Sequence, residues 1–221
     1  MKYYPVFLHV AGRHCVMIGG GEVAQRKVAS LVDAEARVAV VSPTLTAELA
    51  ERAARGEIDY IARGYRSGDL QGAFLAYAAT DDEALHPIIA ADAAAAGTLL
   101  NVVDRPERCT FIVPSVVRRG DLTVAVSTGG GSPALARRVR QKIEDVLGPE
   151  YERALDVLTR LRRHLRGQAI SSAERQRILS GLVASDLIER LRVADVAGVD
   201  RLLAQHVGGA VSLASLGAEL R

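Results

Sequence analysis

Three consecutive glycines, Gly19, Gly20 and Gly21, constrain the fold of this chain more than any other feature of its sequence. The apolar run before them predicts a buried strand at residues 14–18. The stretch after them predicts a helix at residues 22–33, because its apolar residues recur at helical spacing. The glycines and Ala24 together form the pattern Gly-x-Gly-x-x-Ala, which is typical of the turn that binds the pyrophosphate of a dinucleotide. The context of strand and helix therefore favours a cofactor-binding turn over a glycine turn that binds nothing.

Strand and helix patterns alternate through the first hundred residues. Further strands are predicted at 37–41, 59–63, 73–79 and 99–103, and helices at 46–55 and 81–96. Thr80 or Asp81 is the predicted cap of the second of these helices, and Gly97 its end. This alternation indicates an α/β fold with a Rossmann-type, doubly wound parallel sheet.

The pattern changes after Asp104. Two strands joined at Gly120-Asp121 predict a β-hairpin, and a second glycine-rich loop leads into a helix at 133–147. Beyond Gly148-Pro149, the sequence has only helical patterns and a weakly patterned tail from Val207. We therefore predict a Rossmann domain at 1–109, a hairpin and helix region at 110–147, and a helical C-terminal domain at 148–221.

Composition limits the classes of function. The net charge is only +2, which argues against a general nucleic-acid binder, and no apolar run is long enough to span a membrane. The N-terminus lacks the pattern of a signal peptide, so a cytoplasmic location is expected. Cys15 and Cys109 are far apart, and the histidines do not join them at ligand spacing, so no dedicated metal site is predicted.

Positive charge concentrates in one segment. Residues 104–142 hold eight Lys or Arg against three Asp or Glu, a net charge of +5. Such a segment favours an acidic small molecule as ligand, although solvated arginines on ordinary helix faces explain it about equally well.

The ribose-binding acid that usually follows the second strand is missing here. The chain has Ser42, Pro43 and Thr44 at that place, so hydroxyl or backbone groups are expected to bind the ribose. No arginine stands beside Ser42 to favour a 2′-phosphate, which makes NAD the favoured cofactor over NADP.

Asp104 follows the fifth strand, at the edge of the sheet where ligands bind. A carboxylate there is suited to act as a general base or a metal ligand. The alternative is structural: a helix cap, or an ion pair with Arg105 or Arg108. The residues alone leave these readings open.

The second glycine-rich loop is also a candidate anion site. Its glycine N–H groups precede a helix start, and arginines follow within two turns. A flexible turn with Ser132 as the N-cap explains the same residues equally well. The candidate substrate-binding residues are Ser127, Thr128, Gly129, Gly130, Ser132 and Arg137.

These motifs, in this order, resemble the precorrin-2 dehydrogenase family, which includes the dehydrogenase and ferrochelatase module of siroheme synthases. The resemblance is close over residues 3–147 and loose beyond. The matching stretches are Gly19 to Lys27, Ala79-Thr80-Asp81-Asp82, Asn101-Val102-Val103-Asp104, Phe111 to Ser115, and Ser127 to Pro133.

The resemblance implies NAD-dependent oxidation of precorrin-2 to sirohydrochlorin, with Asp104 as the key carboxylate. It implies that Glu22, Val23, Pro43 and Thr44 contact the dinucleotide, and that the chain is a homodimer associated through residues 110–147. Some members also insert ferrous iron, and the resemblance leaves that activity open here, with Asp104 as its only candidate group. Thr128 stands where some members have a serine that can be phosphorylated.

Two other functions compete with this one. The first is a chelatase whose nucleotide site has become vestigial. The second is an NAD-binding regulatory module whose helical tail contacts a partner. Asp104 beside a second anion loop argues against the regulatory module, because sensing needs no base at the nicotinamide end.

Overall fold

The computed structural model describes residues 3–208 and 211–218. The chain divides into two compact units, Met1–Val113 and Pro114–Arg221. The division lies four residues beyond the boundary that the sequence suggests at 109, and it groups the hairpin with the C-terminal helices. The additional boundary at Gly148 stays a prediction.

The first unit is a parallel sheet with helices between its strands, as the fold class predicted. Its five strands have the order β3-β2-β1-β4-β5, and every pair is parallel. Its elements are β1 (His14–Ile18), α1 (Glu22–Asp33), β2 (Arg37–Val41), α2 (Ala47–Ala54), β3 (Asp59–Ile61), β4 (Leu75–Ala78), α3 (Leu85–Ala96), β5 (Leu99–Val102) and a 3₁₀ turn (Pro106–Arg108).

Burial on both faces explains the continuous apolar strands. In β1, Cys15 and Met17 contact one apolar cluster, while Val16 and Ile18 contact another on the opposite face of the sheet. Parallel strands covered on both sides lose the alternation of apolar and polar residues. The carboxyl ends of β1, β2, β4 and β5 therefore share one edge of a buried sheet.

The start of α3 differs from the prediction. The helix begins at Leu85 rather than Asp81, and no side chain caps it. Instead, the Thr80 hydroxyl accepts a bond from the Asp82 amide at 3.2 Å, and the Asp82 carboxylate accepts one from the Ala84 amide at 3.0 Å. These local bonds favour turns over a first helical turn, as short polar side chains often do. Gly97 ends the helix in the left-handed conformation, as predicted.

The second unit combines the predicted hairpin with a helical bundle. Its elements are β6 (Ser115–Arg119), β7 (Leu122–Val126), α4 (Pro133–Val146), α5 (Glu150–Arg166), α6 (Ser172–Val183), α7 (Leu187–Arg192), α8 (Val196–Val207) and α9 (Leu213–Leu216). β6 and β7 pair antiparallel, with Arg119 opposite Leu122. Gly120 has φ +56°, which suits the first position of a two-residue hairpin turn.

Two sets of contacts hold the second unit together. The Arg119 guanidinium donates to the Leu147 carbonyl at 2.7 Å, which joins the hairpin to the end of α4. Helices α5 to α9 share an apolar cluster that includes Leu161, Leu182 and Leu203, each with no exposed surface.

The prediction of a weakly patterned tail from Val207 is partly wrong. α9 forms there, because Ser212 and Ser215 bond reciprocally to each other's amides at its start. Residues 209–210 and 219–221 of that segment lie outside the described residues. Within the described part, no helix is both long and apolar enough to cross a membrane.

Candidate active site

The first glycine loop, Gly19–Gly21, turns sharply between β1 and α1. Gly19 has φ +111°, and a Cβ there would overlap the carbonyl oxygen of Ala79 after β4. A Cβ on Gly20 would overlap the carbonyl oxygen of Thr44 after β2. Both glycines are therefore required by close contact with the backbone of neighbouring strands.

Gly21 differs from the other two glycines. A Cβ there would meet nothing within 4 Å, so the space in front of it is open. Gly21 is the N-cap of α1, and no side chain caps that helix. Free N–H groups at a helix start, beside open space, fit the pyrophosphate of a dinucleotide. Glu22 and Val23, which form the first helical turn, stand at this opening.

After β2, Thr44 is exposed and Ser42 is buried. Ser42 is only 5% exposed, and its hydroxyl donates to the Thr44 carbonyl at 2.7 Å. Pro43 and Thr44 are exposed, and the Tyr60 hydroxyl donates to the Pro43 carbonyl at 3.3 Å. Ser42 thus shapes the loop, while the Thr44 hydroxyl is left as the side-chain group able to reach a ribose.

Arg63, just past the end of β3, is occupied by an internal ion pair. Its guanidinium makes two bonds of 2.7 Å to the Asp69 carboxylate. The hydrogen bond from Arg63 lowers the pKa of Asp69 below its ordinary value, so the pair stays charged. This arginine is therefore not free to bind a 2′-phosphate, which agrees with the expectation of NAD.

Thr80 lies in the loop after β4. Its carbonyl oxygen is 3.1 Å from the Nε2 atom of His86, a side chain only 6% exposed. Its hydroxyl accepts the Asp82 amide, so both polar groups of Thr80 support the loop. Sequence reasoning missed His86, whose place on an apolar alanine-rich helix gives no sign of a ligand.

Asp104 stands two residues beyond β5 in the left-handed conformation, with φ +59°. The side chain is exposed, and among the described residues nothing bonds to its carboxylate. Arg105 pairs with Glu83, and the 3₁₀ turn has no side-chain cap, so neither structural alternative for Asp104 is seen. A strained residue with an unused carboxylate is typical of a functional site.

The Cys109 thiol holds the turn that carries Asp104. Its sulphur lies 3.2 Å from the Val102 amide, the Val102 carbonyl and the Arg105 carbonyl. Burial raises the pKa of Cys109 above its ordinary value, so the thiol stays protonated and able to donate. The bonds span both sides of Asp104, a role that no sequence pattern indicated.

Several strand ends meet along one edge of the sheet. Gly19 contacts Ala79, and the Val103 amide donates to the Ala78 carbonyl at 2.9 Å. The glycine turn and Asp104 are thus separated by a single strand end. This edge joins an opening that fits a pyrophosphate to an unpartnered carboxylate.

The second glycine loop, Ser127–Ser132, lies in the second unit, and its residues form hydrogen bonds with one another. The Thr128 hydroxyl accepts the Ser132 amide at 3.0 Å and donates to the Ser132 carbonyl at 3.1 Å. The Ser127 hydroxyl accepts the Gly129 amide at 3.1 Å, and Gly129 and Gly130 both have positive φ. Ser132 caps α4 by accepting the Leu135 amide at 3.2 Å. Most of the polar groups of this loop are therefore already satisfied.

Arg137 is the exposed charge nearest to that loop in the sequence. It makes no ion pair among the described residues, whereas Arg140 pairs with Glu144. Within the ranges that the structure describes, no group of three or more His, Cys, Asp or Glu could hold a metal ion. Both cysteines are free thiols.

Lys27 is a residue of α1 that sequence reasoning missed. It lies three residues from Ala24 and four from Leu31, both of which are buried. A lysine at such spacing from buried residues lies on the packed side of a helix. That spacing was the signal available in the sequence.

The fold and this edge define a nicotinamide dinucleotide-binding α/β protein. A family model described as putative NAD(P)-binding matches residues 6–115, and a second, described as the central part of a sirohaem biosynthesis protein, matches residues 119–145. The siroheme synthase of Azotobacter vinelandii is 39% identical over 95% of this chain, and that of Methylobacillus flagellatus is 42% identical over 80%. The chain is therefore similar to one part of these siroheme synthases.

The chain spans 45% of the length of the Azotobacter relative and 38% of the Methylobacillus one. Among solved structures, SirC, a precorrin-2 dehydrogenase, has a TM-score of 0.80 and 24% identity, and it covers 94% of this chain and 100% of its own. The predicted fold class is confirmed by this likeness.

Proposed function

We propose that the chain oxidises precorrin-2 to sirohydrochlorin with NAD, as a step in siroheme biosynthesis. The observation that carries the proposal is Asp104, an exposed carboxylate without a partner among the described residues, in a left-handed turn one strand end away from the first glycine loop. A base at that place suits a reaction in which the substrate loses a hydride and a proton.

Each residue of the sheet edge has a role in this proposal. Gly19 and Gly20 fix the turn, while Gly21, Glu22 and Val23 receive the pyrophosphate. Pro43 and Thr44 border the ribose, with Ser42 holding their loop, and Thr80 borders the cofactor at the end of β4. Bound NAD supplies the hydride acceptor. Asp104 takes the proton that the macrocycle loses, so the two hydrogens leave to different acceptors.

The substrate fits the charge distribution of the chain. Precorrin-2 carries several carboxylates around its rim, and residues 104–142 have a net charge of +5. Arginine binds carboxylates well because its N–H groups form parallel bonds to both oxygens. We propose that Arg137 contacts one of these carboxylates, and that Ser127, Thr128, Gly129, Gly130 and Ser132 form the loop that receives another.

The direct test is turnover. Purified protein is incubated anaerobically with precorrin-2 and either NAD or NADP, and NADH and sirohydrochlorin are followed by absorbance. We expect oxidation with NAD and slower oxidation with NADP, because Arg63 is occupied by Asp69. A folded sample that binds NAD but leaves precorrin-2 unchanged would contradict the proposal and favour the regulatory module.

We propose in addition that the chain works as a homodimer. In the described part of the second unit, β6 and β7 pair only with each other, so each strand has an outer edge without a ladder partner. Such edges favour association with another chain. Light scattering of the purified protein gives the mass directly, and a monomer at micromolar concentration would contradict this part.

Iron insertion into sirohydrochlorin is a second candidate activity. The same unpartnered Asp104 carboxylate favours it, because a chelatase needs an acceptor for pyrrole protons. Protein incubated with sirohydrochlorin and Fe²⁺, without NAD, should then form siroheme faster than buffer does. Formation at the buffer rate would limit the chain to the oxidation.

A further inference from the structure

Lys27 is a cation on the inner side of α1. It lies between the buried residues Ala24 and Val28, and its Nζ atom is 5.5 Å from the centroid of the Tyr77 ring on β4. Tyr77 is only 7% exposed, so the ammonium stands over a buried ring rather than in open solvent. A cation over an aromatic face gains a modest attraction, but such a contact does not use its hydrogen-bond donors.

No acid in the described residues balances this charge. Among the residues that the structure describes, Lys27 makes no hydrogen bond and no ion pair, whereas the buried Glu150 in the second unit is bonded to Arg192 at 2.8 Å. Burial, helped by the neighbouring Arg26, lowers the pKa of Lys27 from its ordinary value. Buried charges in proteins are normally paired. A half-buried lysine without an acid is therefore suited to bind an anionic group of a ligand.

The Tyr77 ring beside Lys27 packs against another aromatic ring. The Phe111 ring meets the Tyr77 ring edge to face, with centroids 5.6 Å apart. Burial raises the pKa of Tyr77 to about 12, so its hydroxyl stays uncharged. Asn101, opposite Tyr77 in the sheet, donates from its amide to the Phe111 carbonyl at 3.1 Å. A flat, unsaturated ligand with an acidic side chain suits a cation beside such a wall.

Lys27 and Asp104 lie beside the same pair of strands. Lys27 contacts Tyr77 on β4, Tyr77 pairs with Asn101 on β5, and Asp104 follows Asn101 by three residues. One flat ligand at the end of these two strands therefore has a cation beside one strand and the Asp104 carboxylate after the other.

We propose that Lys27 binds a carboxylate of the macrocyclic substrate and sets its orientation against Asp104. This inference rests on the function proposed above, and it makes the first unit a binding site for the substrate as well as for the cofactor. Lys27 is then a substrate-binding residue, and the charge of the 104–142 segment is not the sole attraction for the acid groups.

The test compares Lys27→Met with Lys27→Arg and with Arg26→Met. Lys27→Met keeps an unbranched side chain over Tyr77 and removes the charge, whereas Lys27→Arg keeps the charge. Arg26→Met removes one positive charge from the exposed neighbouring residue. Sirohydrochlorin, the proposed product, is titrated into each protein and binding is followed by absorbance. NAD affinity is measured by calorimetry, and Tm by calorimetric melting.

We expect Lys27→Met to weaken sirohydrochlorin binding about tenfold, which corresponds to about 1.4 kcal/mol. NAD affinity and Tm should stay close to wild type, Arg26→Met should bind the macrocycle normally, and Lys27→Arg should recover most of the affinity. Equal losses in Lys27→Met and Arg26→Met would overturn the proposal in favour of a general charge effect. A loss confined to NAD would assign Lys27 to the cofactor, and unchanged binding would remove it from the site.

The two proposals fail in different ways. Wild-type protein that binds sirohydrochlorin through Lys27 but does not oxidise precorrin-2 would contradict the reaction and keep the binding residue. Wild-type protein that oxidises precorrin-2, with Lys27→Met binding sirohydrochlorin normally, would contradict Lys27 alone. Absence of sirohydrochlorin binding by wild-type protein would overturn the Lys27 proposal at once.

Discussion

The two glycine-rich loops look alike in the sequence, and each precedes a helix. The first, Gly19–Gly21, is held by close contact with neighbouring backbone, and its helix start has no side-chain cap. The second, Ser127–Ser132, is closed by the hydroxyls of Ser127, Thr128 and Ser132. A loop without hydroxyls leaves its N–H groups for a ligand, and a loop rich in hydroxyls satisfies many of its own. The comparison teaches that the residues flanking the glycines decide how many N–H groups of such a loop stay free for a ligand.

The largest expected effect is on catalysis, at the sheet edge that contains the first glycine loop. Asp104→Asn, at the sheet edge of the first unit, removes the proposed base and should lower kcat by about 10² to 10⁴. NAD affinity should be unchanged, since the nucleotide does not need that carboxylate. Steady-state kinetics with precorrin-2 measure the first effect and calorimetry the second.

Glu107→Gln is the matched control, because Glu107 is an exposed acid in the same loop. Its kcat should stay near that of wild type. If Asp104→Asn retained more than a tenth of the rate, Asp104 would have a structural role and the sheet edge would lack its base.

Within the first loop, the glycines should respond differently to the same added methyl group. Gly20→Ala places a Cβ against the Thr44 carbonyl and the Ser42 hydroxyl. Because backbone cannot move aside cheaply, we expect a loss of about 2 to 3 kcal/mol of unfolding free energy. Denaturant melting measures it, and a stability equal to wild type would show that the loop can open.

Gly21→Ala should leave stability nearly intact, because a Cβ there meets nothing within 4 Å and its φ of −84° suits any residue. The methyl group would instead occupy the space left for the pyrophosphate. NAD affinity should fall about tenfold, or about 1.4 kcal/mol. Unchanged affinity would mean that the pyrophosphate lies elsewhere, and the difference between the two loops would lose its functional meaning.

The second loop should show a smaller effect on stability. Ser132→Ala removes the N-cap of α4 and should cost about 1 kcal/mol of unfolding free energy without changing NAD affinity. Ser171→Ala, which removes the cap of α6 in the same unit, is the matched variant with an expected loss of similar size. A loss much larger than that of Ser171→Ala would indicate that the whole loop depends on Ser132.

Much of the fold could be predicted because local and tertiary signals agree. β1, α1 and β2 begin and end at the predicted residues, since apolar periodicity and the glycine turn both mark those limits. The start of α3 was not predictable in this way, because Thr80 and Asp82 bond to nearby amides and compete with a helix cap. The surrounding structure decides between a helix cap and these local bonds.

The candidate site was predicted in part for the same reason. Glycines and Asp104 have patterns that can be read along the chain, whereas Cys109 acts through bonds to Val102 and Arg105 that only the folded turn creates. Lys27 depends on which side of α1 meets β4. The bonds of Cys109 leave no periodicity, so its role becomes visible only in three dimensions. For Lys27, the spacing from buried residues of α1 indicates the packed side of the helix, but the contact with Tyr77 does not follow from it.

The left-handed backbone at Asp104 lowers thermal stability, while the carboxylate at that position is needed for the proposed activity. A side chain in that conformation costs on the order of 1 kcal/mol, and glycine avoids the cost. A library screened only for resistance to heat would therefore enrich glycine at position 104 and discard the proposed base. Engineering this protein for durability should hold that position fixed and look for gains elsewhere.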